Sequence, residues 1–280
     1  MAPVYGEPGI LVPVGQIKPA MPINKDQLVR LTVSTFGDLY LIDSRRHEIL
    51  HLDAAGRIIN RQGGYGWGDG QLNQPTDICI QSNINILVAD YHNFRLLRYD
   101  RSLHFITGLE YQKIGIYPLR VRSLAISAVG ELYLLDDDNQ EIIRYTAFDQ
   151  KVNRIGGYDY GRFALTNPAV IRFDETGGRL VVLEQPLGLV FFDRYGTPLR
   201  ILKPPTEEVG LDLFCAGSQL AVVTGSATIW LYNYQANQWT NAVSSQPVEQ
   251  WISGAWAANR FYLLDRQGLI TVSVLSLPEE

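Results

Sequence analysis

Long apolar runs, a surplus of basic residues and amphipathic helical patterns are all missing from this sequence. No run of 18 apolar residues occurs in its 280 residues, so no part of the chain is predicted to span a membrane. The net charge is −5 and the isoelectric point is near 5.4, which argues against a large nucleic-acid footprint. The first residues carry no basic region ahead of an apolar stretch, so no intact signal peptide is expected.

What the sequence does contain is a repeated apolar run that ends in an acidic residue or its equivalent. The copies end, in chain order, at Asp43, Asp90, Asp136, Glu184, Thr224 and Asp265. The intervals between neighbouring copies run from 40 to 48 residues, a period typical of repeat architectures. A second apolar run begins five or six residues after each copy, so only the length of the turn between the two runs varies.

Each repeat unit holds four short β-type runs, separated by glycine, asparagine, aspartate and proline turn signals. This pattern predicts an all-β fold, a six-bladed β-propeller of four-stranded antiparallel blades. The second runs are apolar at nearly every position, as expected for strands that are buried on both faces between neighbouring blades. The blades are expected to start near residues 29, 75, 121, 168, 211 and 251, within a single domain covering residues 1–280.

The last unit lacks a fourth run of its own, and the N-terminal segment, residues 1–24, supplies a candidate. Residues 9–15 form an apolar run ahead of the first complete blade. We expect this run to add as the outer strand of the last blade, which would close the circle. Pro13 suits such an edge position because proline has no N–H to donate to a neighbouring strand. The alternative is a tail, rich in proline and glycine, without regular structure.

Residues 63–90 and the turn that follows them resemble the consensus of the NHL repeat. A glycine-rich run leads to Asn73-Gln74-Pro75-Thr76, and Asp90, Asn93 and Arg95 match a D-x-x-N-x-R signature. The resemblance implies a propeller in which these three polar residues tie the turn between the second and third strands. They would then be scaffold residues, for which hydrogen bonds to the backbone are a sufficient reason. The signature is kept poorly in the other units.

Two segments between repeat units, residues 63–75 and 156–168, have the same length and both open with Gly-Gly-Tyr. A strand follows each of them rather than a helix, so a phosphate cradle is rejected. Aromatic side chains on rigid loops make good binding anchors. The candidates for partner binding are Tyr65, Trp67, Asp69, Tyr158, Asp159, Tyr160 and His92. The alternative is that these side chains pack against neighbouring blades.

Residue patterns typical of metal sites and catalytic centres are not found. The acidic run from Asp136 fails as an EF-hand loop, because its sixth residue is Glu141 and its twelfth is Ala147. Asp77 and Asp212 fall three blades apart, too sparse for an ion site. The four histidines, His47, His51, His92 and His104, are placed in turns or outer strands. No catalytic residue, metal ion or cofactor is therefore predicted.

The two cysteines, Cys79 and Cys215, also fall three blades apart, on first strands. A disulfide across the channel is not expected. Both are interpreted as small, buried apolar residues.

The leading functional hypothesis is a non-enzymatic protein-interaction or scaffold module that binds a protein partner on one propeller face. Binding of a small-molecule ligand is also left open. The alternative is a metal-dependent lyase or lactonase-like hydrolase with its site at the mouth of the central channel. RNA binding would need a basic face that the net charge makes hard to assemble. The composition favours a bacterial envelope or secreted protein over a cytoplasmic one.

Overall fold

The computed structural model describes residues 4–19, 29–82, 84–146 and 151–276. Parts of the predicted N-terminal segment and the last residues, 277–280, lie outside the described residues. Within them the chain is almost entirely β-structure, with three short 3-10 helices at Tyr91–Asn93, Tyr111–Ile114 and Tyr158–Phe163. No helix in the described ranges is long and apolar enough to cross a membrane.

The strands follow the runs that the repeat predicts. In chain order they are β1 (Val4–Tyr5), β2 (Gly9–Ile17), β3 (Val29–Val33), β4 (Leu39–Asp43), β5 (Glu48–Leu52), β6 (Ile58–Gly63), β7 (Pro75–Gln81), β8 (Asn85–Asp90), β9 (Arg95–Asp100), β10 (Phe105–Glu110), β11 (Val121–Ile126), β12 (Leu132–Asp136) and β13 (Glu141–Thr146). The remaining strands are β14 (Lys151–Ile155), β15 (Pro168–Asp174), β16 (Arg179–Glu184), β17 (Gly188–Asp193), β18 (Pro198–Leu202), β19 (Gly210–Ala216), β20 (Gln219–Thr224), β21 (Thr228–Asn233), β22 (Gln238–Ser244), β23 (Trp251–Ala257), β24 (Arg260–Asp265) and β25 (Ile270–Ser276).

Four of the sheets are separate and contain four strands each. They are β3–β6, β7–β10, β11–β14 and β15–β18, each pairing antiparallel in chain order. The other nine strands form one sheet in the order β19-β20-β21-β22-β2-β25-β24-β23, with β1 paired to β22. The fold is thus an all-β propeller of four-stranded antiparallel blades. The described residues show four separate blades of this kind, where the repeat predicts six.

Strand β2 is the reason that the last strands share one sheet. It pairs antiparallel with β25, from Ile10 opposite Ser276 to Ile17 opposite Ile270, as expected from the sequence. It also pairs parallel with β22, where Gly9 lies opposite Ala242. The register with β25 shifts between Pro13 and Gly15, an irregularity at the residue that lacks a donor. No local sequence pattern marks the parallel pairing with β22.

The innermost strands surround a central channel. Strands β3, β7, β11, β15, β19 and β23 contact one another in that order, and β23 contacts β3. Every residue of β4, β8 and β12 is buried, as the unbroken apolar runs predict. The buried side chains form clusters, and each cluster joins residues of two repeat units that are neighbours around this circle. The core is therefore a set of layers between sheets, with the channel at the centre.

Candidate functional site

The first crossing, residues 63–75, leads from β6 to the inner strand β7 and is held by the signature residues of the next turn. The Asn73 N–H donates to Asp90 Oδ1 at 2.6 Å, and Asn93 Nδ2 donates to Asp90 Oδ2 and to the Gly66 carbonyl, both at 2.8 Å. Burial raises the pKa of the Asp90 carboxyl above its usual range, and the hydrogen bonds from Asn73, Arg95 and Asn93 oppose that rise. The signature residues are scaffold, as predicted.

Arg95 extends this scaffold along the first crossing. Its Nε donates to Asp90 Oδ2 at 2.8 Å, which joins two side chains of the signature. Its Nη1 donates to the Trp67 carbonyl at 2.9 Å, and its Nη2 donates to the Gly68 and Gln71 carbonyls at 3.1 and 2.9 Å. The guanidinium thus fixes three backbone carbonyls that have no strand partner. The signature holds the crossing itself, in addition to the turn that the resemblance implies.

Turns between second and third strands contact the crossings repeatedly, so both lie on one face. The His92 N–H donates to the Asn73 carbonyl and the Gln185 N–H to the Asn167 carbonyl. We call the face that carries residues 63–75, residues 156–168 and the turn at residues 90–95 the crossing face.

The first crossing and its turn bring four of the predicted binding residues onto the crossing face. The side chains of Tyr65 and Trp67 are 68% and 62% exposed, and Asp69 and His92 are exposed as well. The His92 Nε2 lies 2.8 Å from Gln74 Oε1, so this side chain is held against the end of the crossing.

The second crossing, residues 156–168, leads from β14 to β15 and presents two predicted residues. Tyr158 is 91% exposed, and Asp159 is exposed. Tyr160, the third predicted residue of this crossing, is only partly exposed, and its hydroxyl donates to the Arg154 carbonyl at 3.1 Å. Its ring packs edge-to-face on Phe192, with ring centroids 5.8 Å apart. Burying this ring removes apolar area from water, whereas the outward Tyr158 ring meets no such surface.

An exposed aromatic residue that the sequence interpretation missed lies between these two crossings. Tyr117 is 55% exposed on the segment that joins β10 to β11. That segment lacks the Gly-Gly-Tyr opening, so the comparison of similar crossings could not find it. The aromatic residue directly before Pro118 was the available signal.

A buried polar network lies in the channel, near the first residues of the inner strands. The same arrangement of an aspartate and a serine occurs twice, three repeat units apart. Asp77 Oδ2 accepts from Ser123 Oγ at 2.5 Å and from the Leu124 N–H at 3.0 Å. Asp212 Oδ2 accepts in the same way from Ser253 Oγ at 2.6 Å and from the Gly254 N–H at 3.3 Å. Both aspartates are fully buried. Each one therefore ties its inner strand to the next inner strand around the channel.

Arg172 joins these two halves across the channel. Its Nη1 lies 2.8 Å from Asp77 Oδ2, and its Nη2 lies 3.3 Å from Asp212 Oδ1. Although burial opposes it, the two carboxylates raise the pKa of the Arg172 guanidinium above its usual value. The sequence interpretation took the two aspartates as too sparse for an ion site and missed the arginine. The signal was a charged residue in the apolar run of β15, at a position where the other inner strands carry small or apolar residues.

A cavity of 330 Å³, the channel cavity, lies beyond this network and is lined by all six inner strands. Its walls include Phe173, Phe214, Trp256 and both cysteines. Cys79 and Cys215 are partly buried, with free thiols, so they line a cavity in addition to packing against the core. Burial raises the pKa of the Cys215 thiol to about 12. None of the four histidines lines this cavity; His51, for example, is buried 4.6 Å from the Tyr40 ring.

Solved structures that resemble this chain are β-propellers. A streptogramin B lyase superposes with a TM-score of 0.63 at 14% identity, covering 94% of this chain and 87% of its own. Virginiamycin B lyase from Staphylococcus aureus gives 0.62 at 15% identity, covering 89% and 80%. The Cps50 (Swd1) β-propeller domain of Myceliophteria thermophila gives 0.64 at 10% identity, covering 95% and 100%. At these identities the likeness shows the fold alone.

No protein-family model matches the sequence, and no curated protein is similar to it. The class that fold and neighbours define is thus a β-propeller. The NHL resemblance is not confirmed by a family model. The structural neighbours include both lyases and a β-propeller domain that carries no enzyme name, so they do not separate an enzyme from a binding module.

Proposed function

We propose that this chain is a non-enzymatic protein-interaction module that binds a protein partner on its crossing face. The observation that carries the proposal is Trp67, an exposed aromatic side chain whose own carbonyl is fixed by Arg95. Tryptophan and tyrosine are enriched among the residues that dominate binding energies. A backbone that is already fixed loses little conformational entropy when a partner binds.

The proposal rests on a ring of six blades, which we infer for residues 1–280 with starts near 29, 75, 121, 168, 211 and 251. In this interpretation the nine-stranded sheet is two blades joined through the parallel pairing of β22 with β2. The closed order of contacts among the six inner strands supports it. The NHL-like trio Asp90, Asn93 and Arg95 supports a place among NHL-repeat propellers.

Polar side chains flank the aromatic anchors and suit the rim of an interface. Asp69 lies two residues after Trp67 and Asp159 follows Tyr158, while His92 is held at the end of the first crossing. Protein interfaces typically combine a central aromatic patch with a polar, solvent-accessible rim. The crossing face therefore fits a partner that supplies apolar groups for Tyr65, Trp67 and Tyr158.

A lyase-like activity is the second candidate, favoured by two histidines on the crossing face. One solved neighbour is a catalytically inactive virginiamycin B lyase in which a histidine is replaced by alanine, with quinupristin. In this chain, the Gln74 N–H donates to His47 Nδ1 at 2.8 Å, and Gln74 Oε1 lies 2.8 Å from His92 Nε2. Both imidazoles thus lie at the end of the first crossing, within reach of a bound molecule.

The test of partner binding is cross-linking in native extract with a triple variant, Tyr65→Ala, Trp67→Ala and Tyr158→Ala. We expect partner recovery to fall by about tenfold or more, because each lost anchor weakens binding by about 1–2 kcal/mol. The control carries Phe36→Ala and Tyr195→Ala, two aromatics that are 68% and 65% exposed on turns away from the crossing face. Equal recovery by both variants would contradict the proposal.

Purified protein also distinguishes the lyase-like activity, the second candidate function, from partner binding. Purified protein is incubated with quinupristin, and with simple lactone and ester substrates, and its divalent ions are measured by elemental analysis. Turnover that His47→Ala or His92→Ala abolishes would replace the binding proposal with the enzymatic one. Partner recovery without turnover is the result that we expect.

A further inference from the structure

The channel cavity lies at the opposite end of the channel from the crossing face, and the proposed function does not use it. Its lining comes from the second halves of the inner strands, for example residues 31–33 of β3 and 124–126 of β11. Those strands lead directly into turns, whereas the crossings enter at the first halves. Its volume of 330 Å³ is at the lower end of the range of about 300–1,000 Å³ typical of small-molecule pockets.

The aromatic walls of the channel cavity are supported from behind. Phe173 stacks on Tyr133 with ring centroids 5.2 Å apart and an angle of 16° between the rings. Phe214 packs edge-to-face on Phe261 at 6.2 Å. Rings held in this way keep their orientation without a ligand, so a planar apolar group finds a surface that is already formed.

Two buried carboxylates share one guanidinium beside the cavity, and only the guanidinium lines it, so the wall offers a ligand ion no free counter-ion. Arg172 is the one charged side chain among the lining residues, and the buried carboxylates of Asp77 and Asp212 bind its guanidinium. A ligand carboxylate would have to compete with aspartates that are already hydrogen-bonded to backbone and serine donors. A ligand ammonium would meet the guanidinium before either carboxylate. Displacing or opposing buried, paired charges is unfavourable in both cases.

The two thiols add soft, uncharged contacts to the same walls. Cys79 lines the cavity from β7, and Cys215 lines it from β19 on the opposite side. Burial raises the pKa of both thiols, so both are neutral at physiological pH. Sulfur makes favourable contacts with aromatic rings, typically at the ring edge.

We propose that the channel cavity binds a small, neutral ligand with a planar apolar ring system, at a site separate from the crossing face. The size of the cavity sets the upper limit on the ligand. Because aromatic side chains and neutral thiols line the cavity, the ligand is expected to contain an apolar ring system. Because the charges of the Arg172 network are already paired, the ligand is expected to be uncharged.

A matched pair of fluorescent probes tests the proposal on the full chain. N-phenyl-1-naphthylamine is neutral, and 8-anilinonaphthalene-1-sulfonate carries the same rings with a sulfonate. We expect the neutral probe to bind one site per chain with a dissociation constant at least about tenfold lower. An analogue that carries a trimethylammonium group should bind as weakly as the sulfonate.

A cavity-filling variant locates the site. Ala255→Leu places extra volume at a small lining residue, and we expect it to weaken the neutral probe about tenfold, while Trp67→Ala leaves the affinity unchanged. Thermal unfolding checks that both variants are folded. If Ala255→Leu does not fold, wild-type protein provides the second measurement. Saturating neutral probe should slow alkylation of Cys79 and Cys215 by N-ethylmaleimide, followed by mass spectrometry.

Equal binding of charged and neutral probes would overturn the proposal, as would tighter binding of the ammonium analogue. Unchanged alkylation rates at saturation would also overturn it, because the probe would then bind elsewhere. Partner binding is read out separately through the Trp67→Ala variant. Failure of the proposed partner interaction therefore does not affect the test of ligand binding in the channel cavity. Failure of ligand binding likewise does not affect the test of the partner interaction.

Discussion

The two Gly-Gly-Tyr crossings share a buried leucine and a carboxylate contact but are anchored differently. In the first crossing the Leu72 N–H donates to the Gly64 carbonyl, and in the second the Leu165 N–H donates to the Gly156 carbonyl. Both leucines are buried under their crossings. The residue after each leucine then donates its N–H to a carboxylate at the end of a second strand, Asp90 or Glu184.

Beyond that carboxylate the two crossings diverge. Arg95 and Asn93 surround Asp90 and bind four carbonyls of the first crossing. Glu184 accepts from the backbone N–H groups of Thr166 and Asn167, and no Arg or Asn side chain of the described residues donates to it. The second crossing instead forms a 3-10 helix and packs the partly exposed Tyr160 ring on Phe192. The polar network leaves Tyr65 and Trp67 mostly exposed, whereas apolar packing partly covers Tyr160 in the second crossing.

The largest expected effect comes from removing the arginine of the first crossing. Arg95→Met leaves the buried Asp90 carboxylate without its cation and takes a donor from three carbonyls, of which, among the described residues, only that of Gly68 keeps another donor, the Gln71 N–H. We expect the free energy of unfolding to fall by about 3–5 kcal/mol, measured by urea denaturation. Arg122→Met is the control, since its pair with Asp137 is largely exposed and is expected to contribute less than about 1 kcal/mol. Equal losses in the two variants would show that the first crossing does not depend on its arginine.

The shared leucine tests whether the two crossings are packed alike. Leu72→Ala and Leu165→Ala should each lower the free energy of unfolding by about 2–4 kcal/mol, because each leaves a cavity under its crossing. The two losses are expected to agree within about 1 kcal/mol, since the burial is similar. A much smaller loss for Leu165→Ala would mean that only the first crossing is well packed.

Removing Glu184, the carboxylate that binds the second crossing, should lower the free energy of unfolding less than the variants above. Glu184→Ala removes the acceptor of the Thr166 and Asn167 N–H groups, but both residues are exposed and water can replace it. A loss of about 1–2 kcal/mol is expected. Hydrogen exchange at these two amides should accelerate, while the Leu165 amide stays protected by the Gly156 carbonyl. Acceleration at all three amides would mean that the carboxylate holds the whole crossing.

The smallest difference concerns the second glycine of each crossing. Gly64 has φ of +89°, a conformation that L side chains rarely adopt, whereas the backbone of Gly157 is extended with φ of −64°. Gly64→Ala should therefore cost about 1 kcal/mol, and Gly157→Ala should stay within about 0.5 kcal/mol of the wild type. Thermal unfolding of the two variants measures this difference, and a reversed order would contradict the assigned backbone conformations.

Features that recur along the chain could be predicted from the sequence. The strands lie on the repeated runs, β2 pairs with β25, and Asp90, Asn93 and Arg95 act as scaffold. These features follow from local patterns of apolar residues, turn residues and polar signatures, which a single sequence displays.

Features that depend on distant packing could not be predicted. The packing of Tyr160 depends on Phe192, which belongs to a later sheet. The Arg172 network joins three inner strands that are far apart in sequence. The parallel pairing of β2 with β22, which leaves four separate blades and one larger sheet, depends on how the circle closes. Such contacts leave no periodic trace in the sequence.

The double pairing of β2 also has a consequence for how the chain is synthesised. Ile10 leaves the ribosome long before Ser276, its partner in β25, so β2 has both edges open while most of the protein is made. Contacts over such a separation form slowly, because the intervening chain must be ordered first. An open strand can meanwhile pair with the β25 of another copy. Refolding at rising protein concentration is therefore expected to yield strand-exchanged dimers, and size-exclusion chromatography would detect them.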